Sequence, residues 1–142
     1  MERPSKHIKD EVAERFLKVD TLLRTTHPID PKTGEADKDV PPITPEALGI
    51  LFYVASRGTC YKSDCEEHLG LTLASGSRNI DLISKHHRLK LSTGKPRPGH
   101  DLIKKERDPV DARKTVLTLT QRGKDLIELM KTTLYGESEN MG

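Results

Sequence analysis

Arg113 and Lys114 lie in a polar segment, Asp108 to Lys114, between two β-prone runs, Leu102 to Arg107 and Thr115 to Leu119. Pro109 fixes its own φ and Asp108 or Asp111 can accept from nearby amides, so the segment reads as a tight reversal and the runs as a hairpin. Val116 and Thr118 alternate with Leu117 and Leu119, which buries one face and leaves the other wet. The tip then projects outward with two cations on it. A second set follows Thr72, a helix N-cap residue type: Ser75, Ser77 and Arg78 fall on the outward side, with Leu73 and Ala74 placed to touch a thymine methyl. Arg78 alone among them can make a bidentate contact to guanine, and the free amides of a helix N-terminus face a phosphate. Ser63, Lys104, Lys105, Arg107 and Lys114 read as phosphate clamps that add salt dependence and little sequence choice. The plain alternative is a surface hairpin of solvated charges.

Other chemistry finds little support. The sequence has no Gly-rich phosphate loop, GxSxG elbow or HExxH motif, and Glu66 and Glu67 are adjacent on a helix and point apart. We expect no enzyme and no cofactor. Cys60, Cys65 and His68 form a C-x4-C-x2-H pattern that matches no common zinc site and supplies three ligands, so core packing of the cysteines with an exposed His68 is expected and no metal. His86 and His87 are expected near a helix end, against helix carbonyls or phosphate.

The elements that must position these residues are legible in turn. Ile8, Val12, Phe16, Val19 and Leu23 recur at three and four residues, an amphipathic helix from Ser5, its cap, to Arg24. Residues 26–43 are rich in Pro, Gly and Asp and form a loop. Thr44-Pro45-Glu46 starts a helix that buries Leu48, Leu51, Phe52, Val54 and Ala55 and ends near Gly58. Ser63 caps a short helix closed by Gly70, with Cys65 and Leu69 inward. Thr72 caps the next, to about His87, with Ile80 and Ile83 inward. Helix, Gly-containing turn, helix is a helix-turn-helix signature whose second member is the reader. A basic Pro/Gly stretch at 88–100 containing Lys95 and Arg97 is either a minor-groove arm or a disordered loop. Thr120 caps a final helix, Gln121 to Tyr135, that buries Leu126, Ile127, Met130 and Leu134, and 136–142 is a polar tail.

Charge follows the same division. Residues 1–71 carry a net −3, residues 72–131 a net +7 and the tail −2, so the basic excess sits with the hairpin and the reader. A local positive field of that kind is a phosphate-binding footprint, although a solvated basic face has the same composition. At 142 residues the chain reads as one domain. No apolar run nears the ~20 residues of a membrane span and Met1 to Asp10 lacks the apolar stretch of a leader, so a cytoplasmic protein with no membrane association is expected.

Asp108-Pro109, Asp111, Arg113, Leu117, Leu119-Thr120 and Gly123 at their spacing resemble the wing of the MarR (multiple antibiotic resistance regulator) family of winged helix-turn-helix transcription factors. Arg78, Ile80, Asp81 and Ile83 resemble that family's reader as an Arg, apolar, Asp, apolar pattern. The resemblance implies a mainly α fold with a small β-hairpin wing, and Arg113 reaching the minor groove with Asp111 orienting the turn. It also implies a homodimer through the Ser5–Arg24 and Gln121–Tyr135 helices. Two departures stand out. Gly76 occupies a position where an apolar core residue is usual, which predicts a looser first turn, and the polar stretch after Tyr135 is not expected to form the family's further C-terminal dimerisation helix, which bears on the dimer geometry.

Two functions fit. One is a regulator that reads double-stranded DNA as a dimer, with a small-molecule effector unidentified. The other is a winged-helix interaction module whose basic face binds an acidic protein.

Overall fold

Capping chemistry sets the element boundaries. In the computed structural model, which describes residues 10–90 and 93–136, the order is α1 (Glu11–Thr25), α2 (Pro45–Arg57), β1 (Thr59–Tyr61), α3 (Lys62–Leu69), α4 (Leu73–Ile83), β2 (His86–Lys90), β3 (Pro96–Pro98), β4 (Ile103–Arg107), β5 (Thr115–Leu119) and α5 (Gln121–Tyr135). The chain divides into two compact units, one of α1 with α5 from Leu126 onward, the other His27–Asp125.

In the first unit Asp10 caps α1, its Oδ1 accepting from Val12 N at 3.0 Å and Ala13 N at 3.1 Å. The expected cap, Ser5, lies outside the described residues, as does the tail from residue 137. The apolar stripe of α1 is present but uncovered within one chain: no residue of the helix is buried, and Val12, Phe16 and Leu17 are exposed. Arg15 Nη1 donates to Leu134 O at 2.9 Å, tying α1 to the end of α5. Leu126 and Met130 are buried, while Ile127 and Leu134 are half-buried.

In the second unit β1, β5 and β4 form an antiparallel sheet in that order, and β2 pairs with β3 in a separate ribbon. The core is aliphatic: Ile50, Leu51, Val54, Cys65, Ile80, Ile83, Leu102, Ile103 and Leu117 are fully buried. Each such aliphatic side chain contributes about 1.5–3 kcal/mol by leaving water. Thr44 caps α2 as expected, accepting from Ala47 N at 3.0 Å, but the buried face is Ala47, Ile50, Leu51 and Val54. Phe52 lies off that face and is exposed. Thr120 caps α5, accepting from Gly123 N at 3.0 Å. Gly123 is required there because a Cβ would overlap the Leu102 carbonyl oxygen where the helix crosses the start of β4.

Four expectations are corrected. Ser63 does not cap α3, whose N-cap is Tyr61 with no side-chain bond; Ser63 is exposed in the first turn. The reader α4 ends at Ile83 and not near His87, because Ser84 turns to extended backbone (φ −87°, ψ 176°) and its hydroxyl donates to Ile80 O at 2.6 Å. His86 and His87 therefore belong to β2. The described residues of the 88–100 stretch are not all arm or loop, since β2 and β3 pair antiparallel, His86 opposite Pro98 and His87 opposite Arg97. Proline is admissible there because a two-stranded ribbon has only edge strands.

Candidate nucleic-acid interface

The helix-turn-helix is α3, a turn at Gly70 and α4. Gly70 closes α3 in the left-handed conformation, φ 67° and ψ 32°, and the Thr72 hydroxyl accepts from Ser75 N at 3.0 Å to start α4. Ile80 and Ile83 face the core, which leaves Thr72, Leu73, Ala74 and Arg78 exposed and Ser75 and Ser77 half-exposed. Arg78 makes no ion pair among the described residues. The first turn of α4 is closed, with Gly76 N donating to Thr72 O at 2.8 Å. The space a side chain would take there is filled by the buried carboxylate of Glu66.

The wing is β4 and β5 in full register from Ile103–Leu119 to Arg107–Thr115. Its turn is built by carboxylates, as the sequence suggests. Asp108 accepts from Tyr61 Oη and from Val110 N, and these bonds hold its carboxyl below the usual carboxylate range while the same bond pushes the Tyr61 phenol up. Asp111 accepts from Arg113 through Nε at 3.1 Å, Nη2 at 3.2 Å and the backbone N at 3.1 Å, and the guanidinium lowers its pKa. The Arg113 side chain is nonetheless 91% exposed, a tip cation paired with Asp111. Lys114 lies 4.9 Å from the centre of the Tyr61 ring.

The clamp residues divide. Arg107 and Lys114 are exposed, and Lys104 is exposed beside Glu106 at 2.6 Å, which raises its pKa. Lys105 differs: its ammonium is ion-paired with Asp81 on α4, a carboxylate that is nearly fully buried. That pair joins reader to wing. Between them runs a cleft of about 240 Å³ lined by Lys62, Ser77, Asp81, Lys105 and Thr115. On the other side of α4 a cleft of about 410 Å³ is lined by Thr44, Glu46, Ser75, Arg78 and Asn79. Lys95 is exposed, and Arg97 is half-buried with its Nε buried and without a hydrogen-bond partner. Cys65 is fully buried, which pushes its thiol up to about 12, and Cys60 is half-buried. His68 is exposed and lies against the Tyr53 ring, 4.9 Å between centres.

Three supports were not read from the sequence. Strand β1 completes the sheet and carries Tyr61 to the wing turn; the signal, Thr-Cys-Tyr after Gly58, is three residues long, too short for a pattern to emerge. Asn79 donates to Ser75 O at 2.8 Å and accepts from the Thr44 hydroxyl, linking α4 to α2. The third is the Asp81–Lys105 pair, which spans separate elements.

No protein-family model matches the sequence, and no curated protein matches it either. Solved structures match in fold. One is the S. aureus MepR–DNA complex, with TM-score 0.59 and 19% identity over 91% of this chain and 84% of MepR. Another is NadR in complex with 4-hydroxyphenylacetate, with TM-score 0.55 and 16% identity over 99% of this chain and 84% of NadR. MarR itself aligns with TM-score 0.50 and 14% identity over 69% of this chain, which spans only 61% of the MarR chain. The likeness is one of fold: this chain has the MarR-family winged-helix fold, with the β2–β3 ribbon between its helix-turn-helix and its wing.

Proposed function

We propose that the chain is a sequence-specific double-stranded-DNA-binding transcriptional regulator. In this reading α4 enters the major groove with Ser75, Ser77 and Arg78 toward base edges, and Arg113 enters the minor groove from the wing tip. Thr72 and the α4 amides meet phosphate, as do Lys104, Arg107 and Lys114. Exposed Ser63 is a further polar contact to the backbone. The observation that carries the reading is the pairing of an exposed reader face with an exposed, carboxylate-oriented tip arginine, joined through Lys105 and Asp81. MepR, which shares the fold, is solved bound to DNA.

Lys95 and Arg97 are left out of this footprint. Their ribbon springs from the C-terminal end of α4, about 16 Å along an eleven-residue helix from Thr72. The uncovered stripe of α1 at Val12, Phe16 and Leu17 is assigned to a second copy, so that two readers address a pseudo-palindrome. NadR is solved with 4-hydroxyphenylacetate, and a small-molecule effector belongs to the reading by that analogy. No helix among the described residues is long and apolar enough to cross a membrane.

Fluorescence anisotropy against a random duplex at two salt concentrations tests the proposal. Affinity should fall with a log–log slope of about −0.9 for each phosphate contact. A duplex enriched from a random library should then bind at least about a hundredfold tighter than random sequence. No binding at low salt would overturn the reading and leave the acidic-protein interaction module in its place.

A further inference from the structure

Glu66 is a buried acid that neither the reader face nor the wing accounts for. It sits on α3, 5% exposed, and its carboxylate is ion-paired with Lys62 Nζ at 2.7 Å. Its side chain lies flat against α4 at Gly76: a Cβ there would overlap Oε2 and come within 2.7 Å of both Cγ and Cδ. Because Cγ is involved as well as the carboxylate, a rotation of the head group alone would not clear the space. Either the whole side chain or α4 itself would have to shift. The backbone of the same residue anchors the turn, since Glu66 O accepts from Leu71 N at 2.9 Å. One residue thus ties the end of α3 and the near face of α4 together, where an apolar side chain on α4 would ordinarily do so.

Gly76 lies between Ser75 and Ser77 and two residues before Arg78, so any displacement of α4 at this point moves the proposed base contacts together. Groups that read base edges must hold their positions to within a fraction of an ångström. Contacts from Lys104, Arg107 and Lys114 lie on another element and feel this spacing only through the Lys105–Asp81 pair, whereas Thr72 and the first amides of α4 move with it. The buried pair therefore bears more on sequence choice than on phosphate affinity.

We propose that Glu66, seated on Gly76 and neutralised by Lys62, is a positioning residue that sets the height of α4 for base recognition. The inference rests on the DNA-binding function proposed above. The test compares the chain with Glu66→Ala, Gly76→Ala and the double variant Glu66→Ala/Gly76→Ala. Two duplexes serve as probes: one enriched by the unaltered chain from a random library, and a random sequence of equal length. Alanine for glycine inside a helix ordinarily raises stability. Here Gly76→Ala should lower the thermal midpoint and reduce the ratio of enriched to random affinity about tenfold. Random-duplex affinity should fall by less than the ratio does, because the wing cations keep their phosphates. Glu66→Ala alone should keep the fold and lose several-fold in the same ratio, and the double variant should recover stability and ratio relative to Gly76→Ala, because the new methyl occupies the space the acid vacates.

A raised midpoint with an undiminished ratio in Gly76→Ala overturns the inference, as does a full ratio in Glu66→Ala. A double variant no better than Gly76→Ala also overturns it. If Gly76→Ala does not fold, Glu66→Ala and the double variant still decide the matter. Failure of the unaltered chain to bind any duplex overturns the proposed function and this inference with it, an outcome distinct from binding that the variants leave intact.

Discussion

Replacing Lys105 by methionine separates structural charges from DNA-facing ones. The Asp81 side chain is 5% exposed and that of Lys105 46% exposed, so the substitution leaves a buried carboxylate without its cation. Breaking a fully buried pair costs about 3–5 kcal/mol; with one partner half in water, part of the lost interaction is replaced by hydration, and about 1.5–2.5 kcal/mol is expected. At roughly 3 °C per kcal/mol for a chain of this size, the thermal midpoint should drop by about 5–8 °C. Asp81→Asn/Lys105→Met should regain most of that loss, because a neutral amide has no unpaired charge to bury. Lys104→Met is the control, an exposed lysine beside an exposed glutamate whose removal should leave the thermal midpoint nearly unchanged. In DNA binding the order reverses: Lys104→Met should flatten the salt slope by about 0.9 while Lys105→Met leaves the slope alone. Thermal denaturation by circular dichroism and anisotropy titrations at several salt concentrations measure both quantities. An unchanged midpoint with a flattened slope in Lys105→Met would refute the reasoning and make Lys105 a phosphate contact.

Arg78→Ala should cost about 1–3 kcal/mol on the enriched duplex and relax one base position, read by repeating the library selection; an equal loss on every sequence would show that it grips phosphate. Arg113→Ala should weaken binding, and Asp111→Ala should weaken it less while raising the disorder of the tip, visible as a lower backbone order parameter at residue 113. His100 is 2% exposed, its Nε2 bonded to Pro41 O at 2.7 Å, and burial lowers its pKa, with His27 and Arg122 adding to the same direction. Since the folded state then binds fewer protons than the unfolded one, the stability His100 contributes is present above the ordinary histidine value of 6.5 and is lost as pH falls below it. A midpoint that does not fall in that window, or that falls equally in His100→Gln, would contradict this assignment.

Much of the reader and wing was legible because it depends on local rules. Thr44, Thr72 and Thr120 cap the helices that follow them, Gly70 takes the left-handed position after α3, and Asp108 and Asp111 fold the wing turn, each through bonds to residues two to four positions away in the chain. A residue's type suffices when its partner is that near. The errors came where the partner was remote or the pattern short. Ser63 has the type of a cap, but the backbone of Tyr61 is where the helix begins. The 88–100 stretch has turn composition throughout, and only pairing of residues from β2 with those of β3 makes it a ribbon.

By itself the sequence determined the order of the helices, the hairpin, the basic half of the chain and the identity of the exposed arginines, because periodicity, capping and turn chemistry act within a few residues. The tertiary structure decided which charges are available. Lys105 and Lys104 are neighbours of the same type, yet one faces a buried aspartate from another element and the other an exposed glutamate on its own strand. Gly76 looked like a weakness in the reader helix until Glu66, ten positions earlier, was seen to fill its space. Both outcomes are set by desolvation and close approach between elements distant in the chain, quantities that no spacing of residues along a single strand or helix encodes.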